Sequence, residues 1–267
     1  MPAVSRTRAS TVDAAADFGF VRRLRLETRA DLGRYPFTLP AVAWLARAGG
    51  LDLAPGVTFL VGDNGSGKST LVEAVAVASG FNPEGGSRNF RFTTRASESS
   101  LGEHLVLVWG ARKPRNGFFL RAESYYNVAT EIEQLDQDPN SPPLLPAYGG
   151  TSPHERSHGE SFLDLVAHRF GPDGLYLLDE PEAALSVRGC LALVARMAEL
   201  VDCGSQLLVA THSPILLALP GATILEIAED GTVAPVDYDQ ATPVRLTRDF
   251  LSAPQRYLRH LLPGDDW

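Results

Sequence analysis

Lysine and cysteine are scarce in this chain of 267 residues. Of its 24 basic residues only Lys68 and Lys113 are lysines, and it has two cysteines, Cys190 and Cys203. The cysteines have no metal-ligand spacing to each other or to a nearby histidine, which predicts free thiols in a reducing compartment. One of the two lysines stands in a glycine-rich segment, which indicates a specific need for lysine there; the alternative is chance.

Long apolar runs and an excess of positive charge are also missing. No stretch reaches the roughly 20 apolar residues of a membrane span, and the N-terminal segment lacks the apolar core of a secretory signal. We therefore expect a cytoplasmic protein without membrane insertion. The net charge of −8 and the pI of about 5.3 argue against broad nucleic-acid binding. A local basic patch is compatible with them.

Strand and helix patterns alternate along most of the chain. Residues 1–17 are predicted to be a flexible tail, and residues 18–267 a single domain. The predicted buried strands are Val57–Val61, Leu175–Leu178 and Gln206–Ala210, and the predicted helices are Leu71–Ala78, Ala122–Leu135, Ser161–Phe170 and Leu191–Val201. This alternation predicts an α/β fold with a mostly parallel sheet.

Other segments predict strands that are partly exposed or paired locally. Phe20–Leu26 alternates as a half-exposed strand does. Two further strands, Leu105–Trp109 and Phe118–Arg121, are joined by a polar turn, as in a hairpin. A second hairpin is predicted from Thr223 to Val236 around Asp230-Gly231.

The most informative segment is G-D-N-G-S-G-K-S-T, which fits the pattern G-x-x-x-x-G-K-[ST] between a predicted strand and a predicted helix. Gly65 and Gly67 permit a backbone curl whose N–H groups point toward phosphate, beside a positive helix N-terminus. Lys68 would reach the β- and γ-phosphates, and the Ser69 hydroxyl would ligate Mg²⁺. The predicted nucleotide-binding residues of this loop are Gly62, Asp63, Asn64, Gly65, Ser66, Gly67, Lys68, Ser69 and Thr70.

Two later strands end in residues that suit phosphate hydrolysis. Leu175–Leu178 leads into Asp179, which would hold Mg²⁺, and Glu180, which would orient and deprotonate the attacking water. The strand Gln206–Ala210 leads into Thr211-His212-Ser213. Because parallel strands end on one ligand-binding edge, His212 would face the γ-phosphate. For Asp179 and Glu180, the alternative is that the two acids only cap the next helix.

The order of these motifs resembles that of the ATP-binding-cassette (ABC) ATPases, and most closely the compact stand-alone ATPases related to RecF- and SMC-like proteins. Ser157, Gly159 and Glu160 stand where that family keeps its signature motif, with Ser157 expected to cap a helix that begins near Ser161. The resemblance implies ATP and Mg²⁺ as ligands, hydrolysis of ATP, an antiparallel β portion and a helical subdomain at about residues 122–170. It also implies a homodimer that holds ATP between each P-loop and the partner copy's signature segment.

The sequence departs from the family in two places. No glutamine occurs between Lys68 and Gln134, although ABC ATPases keep one there that touches Mg²⁺ and relays motion. Ser186 replaces the usual aspartate of the D-loop. These departures favour an ATPase that works with an unidentified protein or nucleic-acid partner. The alternatives are the ATP-binding subunit of an ABC transporter and a nucleotide-dependent binding module with little turnover.

Aromatic and basic residues outside the motifs allow two readings each. Tyr35 and Phe37 would supply a ring for adenine or pack in the core. Basic and aromatic residues mix at Arg88–Arg95 and at Arg112–Arg115. That composition fits a nucleic-acid contact, and it also fits a solvated face or a loop that contacts phosphate.

Overall fold

The computed structural model describes residues 19–87, 100–125 and 158–262, together with Thr130 and Asp136. Its strands are β1 (Val21–Leu26), β2 (Leu51–Asp52), β3 (Val57–Gly62), β4 (Leu105–Trp109), β5 (Asn116–Arg121), β6 (Gly174–Asp179), β7 (Gln206–Ala210), β8 (Thr223–Ile227) and β9 (Val233–Val236). Its helices are α1 (Pro40–Ala48), α2 (Lys68–Ala78), α3 (Leu101–His104), α4 (His158–Arg169), α5 (Val187–Asp202), α6 (Thr242–Ser252) and α7 (Pro254–Leu261).

A six-stranded sheet in the order β5-β6-β7-β3-β8-β9 forms the framework. The first five strands in that order are parallel, and β9 pairs with β8 as the antiparallel arm of a hairpin. Every residue of β6 and β7 is buried, as expected when helices or a second sheet cover both faces. This topology confirms the predicted α/β class, and the β8–β9 pairing confirms the predicted C-terminal hairpin.

Side chains of the large sheet alternate between two hydrophobic clusters. In β6, Tyr176 and Leu178 join a cluster that contains α4 and α5. Leu175 and Leu177 join a second cluster that contains α1, α2 and the smaller sheet. This alternation is the period of two that a strand imposes. The central strands are thereby fixed in register, which fixes the edge at which they end.

The smaller sheet has three strands in the order β2-β1-β4, all antiparallel. Gln206 at the start of β7 joins it to the large sheet. Its side-chain nitrogen donates to the carbonyl oxygens of Val21 (2.9 Å) and Ala54 (3.0 Å), and its oxygen accepts from the Val21 N–H (2.9 Å). A buried amide with three backbone partners holds the two sheets in one relative position.

The predicted pairing of β4 with β5 is wrong. β4 pairs with β1, whereas β5 pairs with β6, so the polar turn passes from one sheet to the other. Long-range backbone bonds hold its two ends: the Gly110 N–H donates to Phe20 O (2.8 Å), and the Arg115 N–H donates to Asp173 O (2.9 Å). The turn therefore lies where the parallel strands begin, opposite the edge where they end.

Strand β5 is the outermost described strand on its side of the large sheet. A single antiparallel bridge joins its Phe119 to Gly86. The Gly86 N–H donates to Phe119 O (2.7 Å), and the Phe119 N–H donates to Gly86 O (3.0 Å). The chain before α3 thus covers part of this edge.

Two helix predictions need comment. Helix α4 begins at His158, three residues before the predicted start at Ser161, because its first turn packs on the segment after β6. The predicted helix Ala122–Leu135 lies mostly outside the described residues. The helical subdomain at about residues 122–170 stays a prediction for the same reason. In the described part of the chain, no helix has both the length and the apolar character needed to cross a membrane.

Candidate nucleotide-binding site

Three of the predicted motifs meet at the carboxyl edge of the parallel strands. The P-loop leaves β3 and enters α2, Asp179 ends β6, and Thr211 follows β7 directly. Strands β6 and β7 are neighbours, with Asp179 opposite Ala210, and β3 lies on the other side of β7. Sheet topology therefore brings together residues that lie more than a hundred positions apart in the sequence.

The P-loop backbone adopts the curl that its glycines permit. Gly62, Gly65 and Gly67 have φ values of 156°, 80° and 101°, in the region that only glycine enters without strain. A Cβ on Gly62 would lie 2.9 Å from the Ile227 carbonyl oxygen, so this glycine also permits close approach of β8. Among the described residues, the buried Ser66 hydroxyl finds no hydrogen-bond partner, which fits a loop built to receive phosphate oxygens.

Lys68 points back into the P-loop. Its Nζ donates to the carbonyl oxygens of Gly62 (2.7 Å) and Asp63 (3.0 Å), and the residue is buried. Burial lowers the pKa of the Lys68 ammonium, while the nearby Glu180 and Asp179 carboxylates oppose that shift. The amine is thus held at the loop by two backbone carbonyl oxygens.

Asp179 is the most buried acid at this edge. Burial raises its pKa to about 6, although the Arg121 guanidinium and a hydrogen bond from Ser69 favour the ionised form. Within the described residues its Oδ1 has no hydrogen-bond partner. A buried carboxylate oxygen beside a serine hydroxyl fits Mg²⁺, which takes hard oxygen ligands and completes its shell with phosphate and water. Ser69 and Asp179 would hold the metal.

Arg121 at the end of β5 was not predicted to belong to the site. It lies opposite Asp179 in the β5–β6 register, and its Nε is 3.3 Å from Asp179 Oδ2. Its NH1 lies 2.8 Å from Glu73 Oε2 on α2. Sequence reasoning missed this pair because an arginine at a strand end normally points into solvent, and only the strand register reveals its partner.

Glu180 has an unusual backbone conformation. Its φ and ψ are 49° and 50°, in the left-handed region, and its N–H donates to Ala210 O at 2.9 Å. A non-glycine residue in this conformation costs about 1 kcal/mol. Such backbone strain is typical of functional sites. The half-exposed carboxylate lies 3.9 Å from His212 Nε2. Burial lowers the pKa of His212, and the nearby Lys68 ammonium lowers it further, so the imidazole is neutral at neutral pH.

Glu182 fixes the backbone that carries His212. Its Oε1 accepts hydrogen bonds from the Thr211 hydroxyl (2.8 Å) and from the His212 N–H (2.6 Å). In the sequence, Glu182 is the first residue of the D-loop-like segment Glu182–Ser186, and its side chain had no predicted role. The sequence contained one signal for this role, because an acid two residues after Glu180 lies at the same edge of the sheet. The hydrogen-bond partners of Glu182, however, depend on the pairing of β6 with β7.

A cleft of about 440 Å³ opens beside the P-loop. Gly62, Asp63 and His212 line it, together with Arg245 at the start of α6. Asp63 and Asn64 are exposed, whereas Ser69 and Thr70 at the start of α2 are half-buried. The P-loop is therefore open on the side where a nucleotide would enter.

The signature-like segment is only partly described. Ser157 lies outside the described residues, while Gly159 and Glu160 form the first turn of α4. A Cβ on Gly159 would lie 3.1 Å from the Ala184 carbonyl oxygen, so the glycine lets α4 rest on the D-loop-like segment. In that segment Ser186 caps α5 by accepting from the Gly189 N–H at 3.2 Å.

The remaining candidates are the two aromatic residues before α1 and the basic clusters. Phe37 is buried and packs edge-on against His104, whereas Tyr35 is exposed. On the opposite edge of the sheet, Arg112 pairs with Asp173, and the Lys113 ammonium lies 3.9 Å from the Trp109 ring centroid. The predicted basic cluster Arg88–Arg95 lies outside the described residues.

Comparisons with known proteins bear on the motifs and the fold. A family model described as an AAA domain matches residues 47–133, which include the P-loop. A search of curated proteins finds no match. The chain is similar to the SMC head domain from Thermotoga maritima, with 16% identity over 82% of this chain and 99% of that one, at a TM-score of 0.42. It is also similar to cbiO1 from Clostridium perfringens, part of the ABC transporter complex cbiONQ, with 14% identity over 91% of this chain and 100% of that one, at a TM-score of 0.45.

The family match covers the P-loop and the strands on either side of it. Together with the parallel sheet and the motifs at its carboxyl edge, it supports the predicted resemblance to P-loop ATPases.

Proposed function

We propose that this chain binds ATP with Mg²⁺ and hydrolyses it, and that the hydrolysis serves a protein or nucleic-acid partner. The observation that supports this best is the arrangement at the sheet edge. A buried lysine in a curled glycine-rich loop faces a buried aspartate, and the next residue is a half-exposed glutamate within 3.9 Å of a histidine. Each group has the chemistry that one step of phosphoryl transfer to water requires.

Glu180 is the proposed general base. Its carboxylate is accessible to water, and its backbone is fixed in one conformation by the bond to Ala210. The attacking water forms a bond to the γ-phosphorus while the bond to the bridging oxygen of ADP breaks, and Glu180 accepts the water proton. His212, as a neutral imidazole, can donate a hydrogen bond to a γ-phosphate oxygen.

Lys68 is the proposed ligand of the phosphates. Its ammonium bonds two loop carbonyl oxygens, and it would turn toward the β- and γ-phosphate oxygens when ATP binds. Bound Mg²⁺ would neutralise charge on the same oxygens. Ser69 and Asp179 are the side chains that would hold that metal.

A second copy of the chain is the proposed source of the remaining contacts. The cleft around Gly159 is lined by α4, by the D-loop-like segment and by the start of α5, and none of its lining residues belongs to the P-loop. In the proposed dimer, the N-terminus of α4 offers its N–H groups to a phosphate held by another copy. Ser157 and Glu160 would contribute to that contact.

Two substitutions test the proposed hydrolysis. Lys68→Ala should abolish nucleotide binding, because it removes the cation that faces the phosphates. Glu180→Gln should keep ATP binding and lower turnover by a factor on the order of 10² or more, because only the base is lost. Calorimetric titration with ATP and release of inorganic phosphate measure the two effects.

Glu199→Gln is the matched control, since Glu199 lies on α5 in a surface ion pair with Arg196. It should bind and hydrolyse ATP as the unmodified chain does. Hydrolysis at the unmodified rate by Glu180→Gln would show that another group activates the water.

A further inference from the structure

Arg121 pairs with the exposed Glu123 at 3.8 Å and with two less exposed acids on different elements. It lies 3.3 Å from Asp179 on β6 and 2.8 Å from Glu73 on α2, and only 22% of its side chain is exposed. Glu73 is also mostly buried, with 12% of its side chain exposed. One arginine therefore compensates two buried carboxylates, one of which is the proposed metal ligand.

The residues that follow Arg121 contact helix α4 through Tyr125. The Ala122 N–H donates to Asp179 O at 3.2 Å, and the Ser124 hydroxyl donates to Glu84 O. The Tyr125 ring then packs on Phe162 with centroids 5.7 Å apart. Tyr125 also hydrogen-bonds the Ser161 side chain. A displacement at the Asp179 carboxylate would thus reach the first turns of α4 through five consecutive residues.

We propose that Arg121 competes with the divalent cation for the Asp179 carboxylate and passes the result of that competition to α4. The proposal rests on the proposed metal–nucleotide site. Arg121 lies between Lys68 and Gln134, a stretch that contains no glutamine. A positively charged residue would thus lie beside the metal in place of a glutamine. Glu73 gives the guanidinium a second acidic partner. The positive charge of Arg121 therefore stays compensated when the metal binds the Asp179 carboxylate.

Coulomb's law sets the signs of the expected effects. A positive charge beside Asp179 weakens the attraction of that carboxylate for a divalent cation, so its removal strengthens metal binding. Removal of the Glu73 charge does the opposite, because Arg121 is then left with Asp179 as its buried acidic partner. A role confined to packing would weaken metal binding in both variants or change it in neither.

The experiment measures Mn²⁺ binding to the full-length chain with ADP, followed by the electron paramagnetic resonance of free Mn²⁺. Arg121→Gln should bind Mn²⁺ about threefold to tenfold more tightly than the unmodified chain. Glu73→Gln should bind it more weakly by a similar factor. Arg112→Gln, which removes a paired arginine on the opposite edge of the sheet, is the control and should leave the affinity unchanged.

Hydrogen exchange on the same samples tests the connection to α4. In the unmodified chain, Mn²⁺ with ADP should change the exchange of amides in Gly159–Leu163, and Arg121→Gln should abolish that change. If Arg121→Gln does not fold, Glu73→Gln alone decides: weaker Mn²⁺ binding supports the competition, and unchanged or tighter binding overturns it.

Failure of this proposal differs from failure of the proposed function. If the unmodified chain binds no Mn²⁺ with ADP, the metal–nucleotide site itself is wrong. If the unmodified chain binds Mn²⁺ and Arg121→Gln binds it no more tightly, only the role of Arg121 is wrong. An unmodified chain whose α4 amides do not respond to Mn²⁺ and ADP would overturn the connection to α4.

Discussion

At the scale of single residues, some members of this site can be predicted from a short motif, and others depend on the fold. Lys68, Ser69, Asp179, Glu180 and His212 were all predicted as site residues from short motifs, because a glycine-rich loop and strand ends carry their own pattern. Their partners were not identifiable in this way. A side chain such as Glu182 acquires its role from a neighbouring strand, and strand order is not written in any short segment.

Glu182 provides a prediction at this scale. Glu182→Ala should lower the free energy of unfolding by about 1–3 kcal/mol, because the buried Thr211 hydroxyl and the His212 N–H both lose their acceptor. Glu182→Gln keeps a carbonyl oxygen in place and should cost less. Urea unfolding measures both variants, and ATP turnover should fall most in the alanine variant. Equal stability of Glu182→Ala and the unmodified chain would contradict this role for Glu182.

At the scale of secondary structure, apolar runs in the sequence predicted the buried strands correctly, but they did not predict the pairing of β4 and β5. The buried strands Leu175–Leu178 and Gln206–Ala210 lie within or coincide with β6 and β7. The turn after β4 was misjudged because its polar composition suits a hairpin equally well. What decides the pairing are backbone bonds to Phe20 and Asp173, which lie far away in the sequence.

Gln206 gives the corresponding prediction for the two sheets. Gln206→Leu should cost on the order of 3 kcal/mol, because it leaves the Val21 N–H and the carbonyl oxygens of Val21 and Ala54 without their partner. Urea unfolding measures the loss. Gln240→Leu, at an exposed position, is the matched control and should stay within about 0.5 kcal/mol of the unmodified chain. A similar small loss in Gln206→Leu would mean that packing alone joins the sheets.

At the scale of the whole molecule, the proposal is that a second copy completes the site. We expect Glu180→Gln to be a monomer without nucleotide and a dimer with ATP and Mg²⁺, because two helix N-termini would then enclose the phosphates. Multi-angle light scattering measures the change in mass. The dimer should also raise the melting temperature in a concentration-dependent way.

Complementation tests the same dimer through its chemistry. Lys68→Ala and Ser157→Arg should each be inactive alone, and a mixture should regain part of the activity, because one composite site in a mixed dimer keeps both halves intact. The unmixed variants at the same total concentration are the controls. A Glu180→Gln protein that stays monomeric with ATP, together with no recovery in the mixture, would rule out the dimer and leave the P-loop assignment intact.

The bridge between Gly86 and Phe119 has a consequence for solubility. An outer strand with free N–H and carbonyl groups is a template onto which strands of other molecules can add, and such addition leads to aggregates. β5 is apolar at Phe118, Phe119 and Leu120, so an uncovered backbone there would be a hazard. The two hydrogen bonds from Gly86 occupy both polar groups of Phe119. The segment that follows α2 therefore blocks the addition of a foreign strand at Phe119, on the sheet edge that carries Arg121.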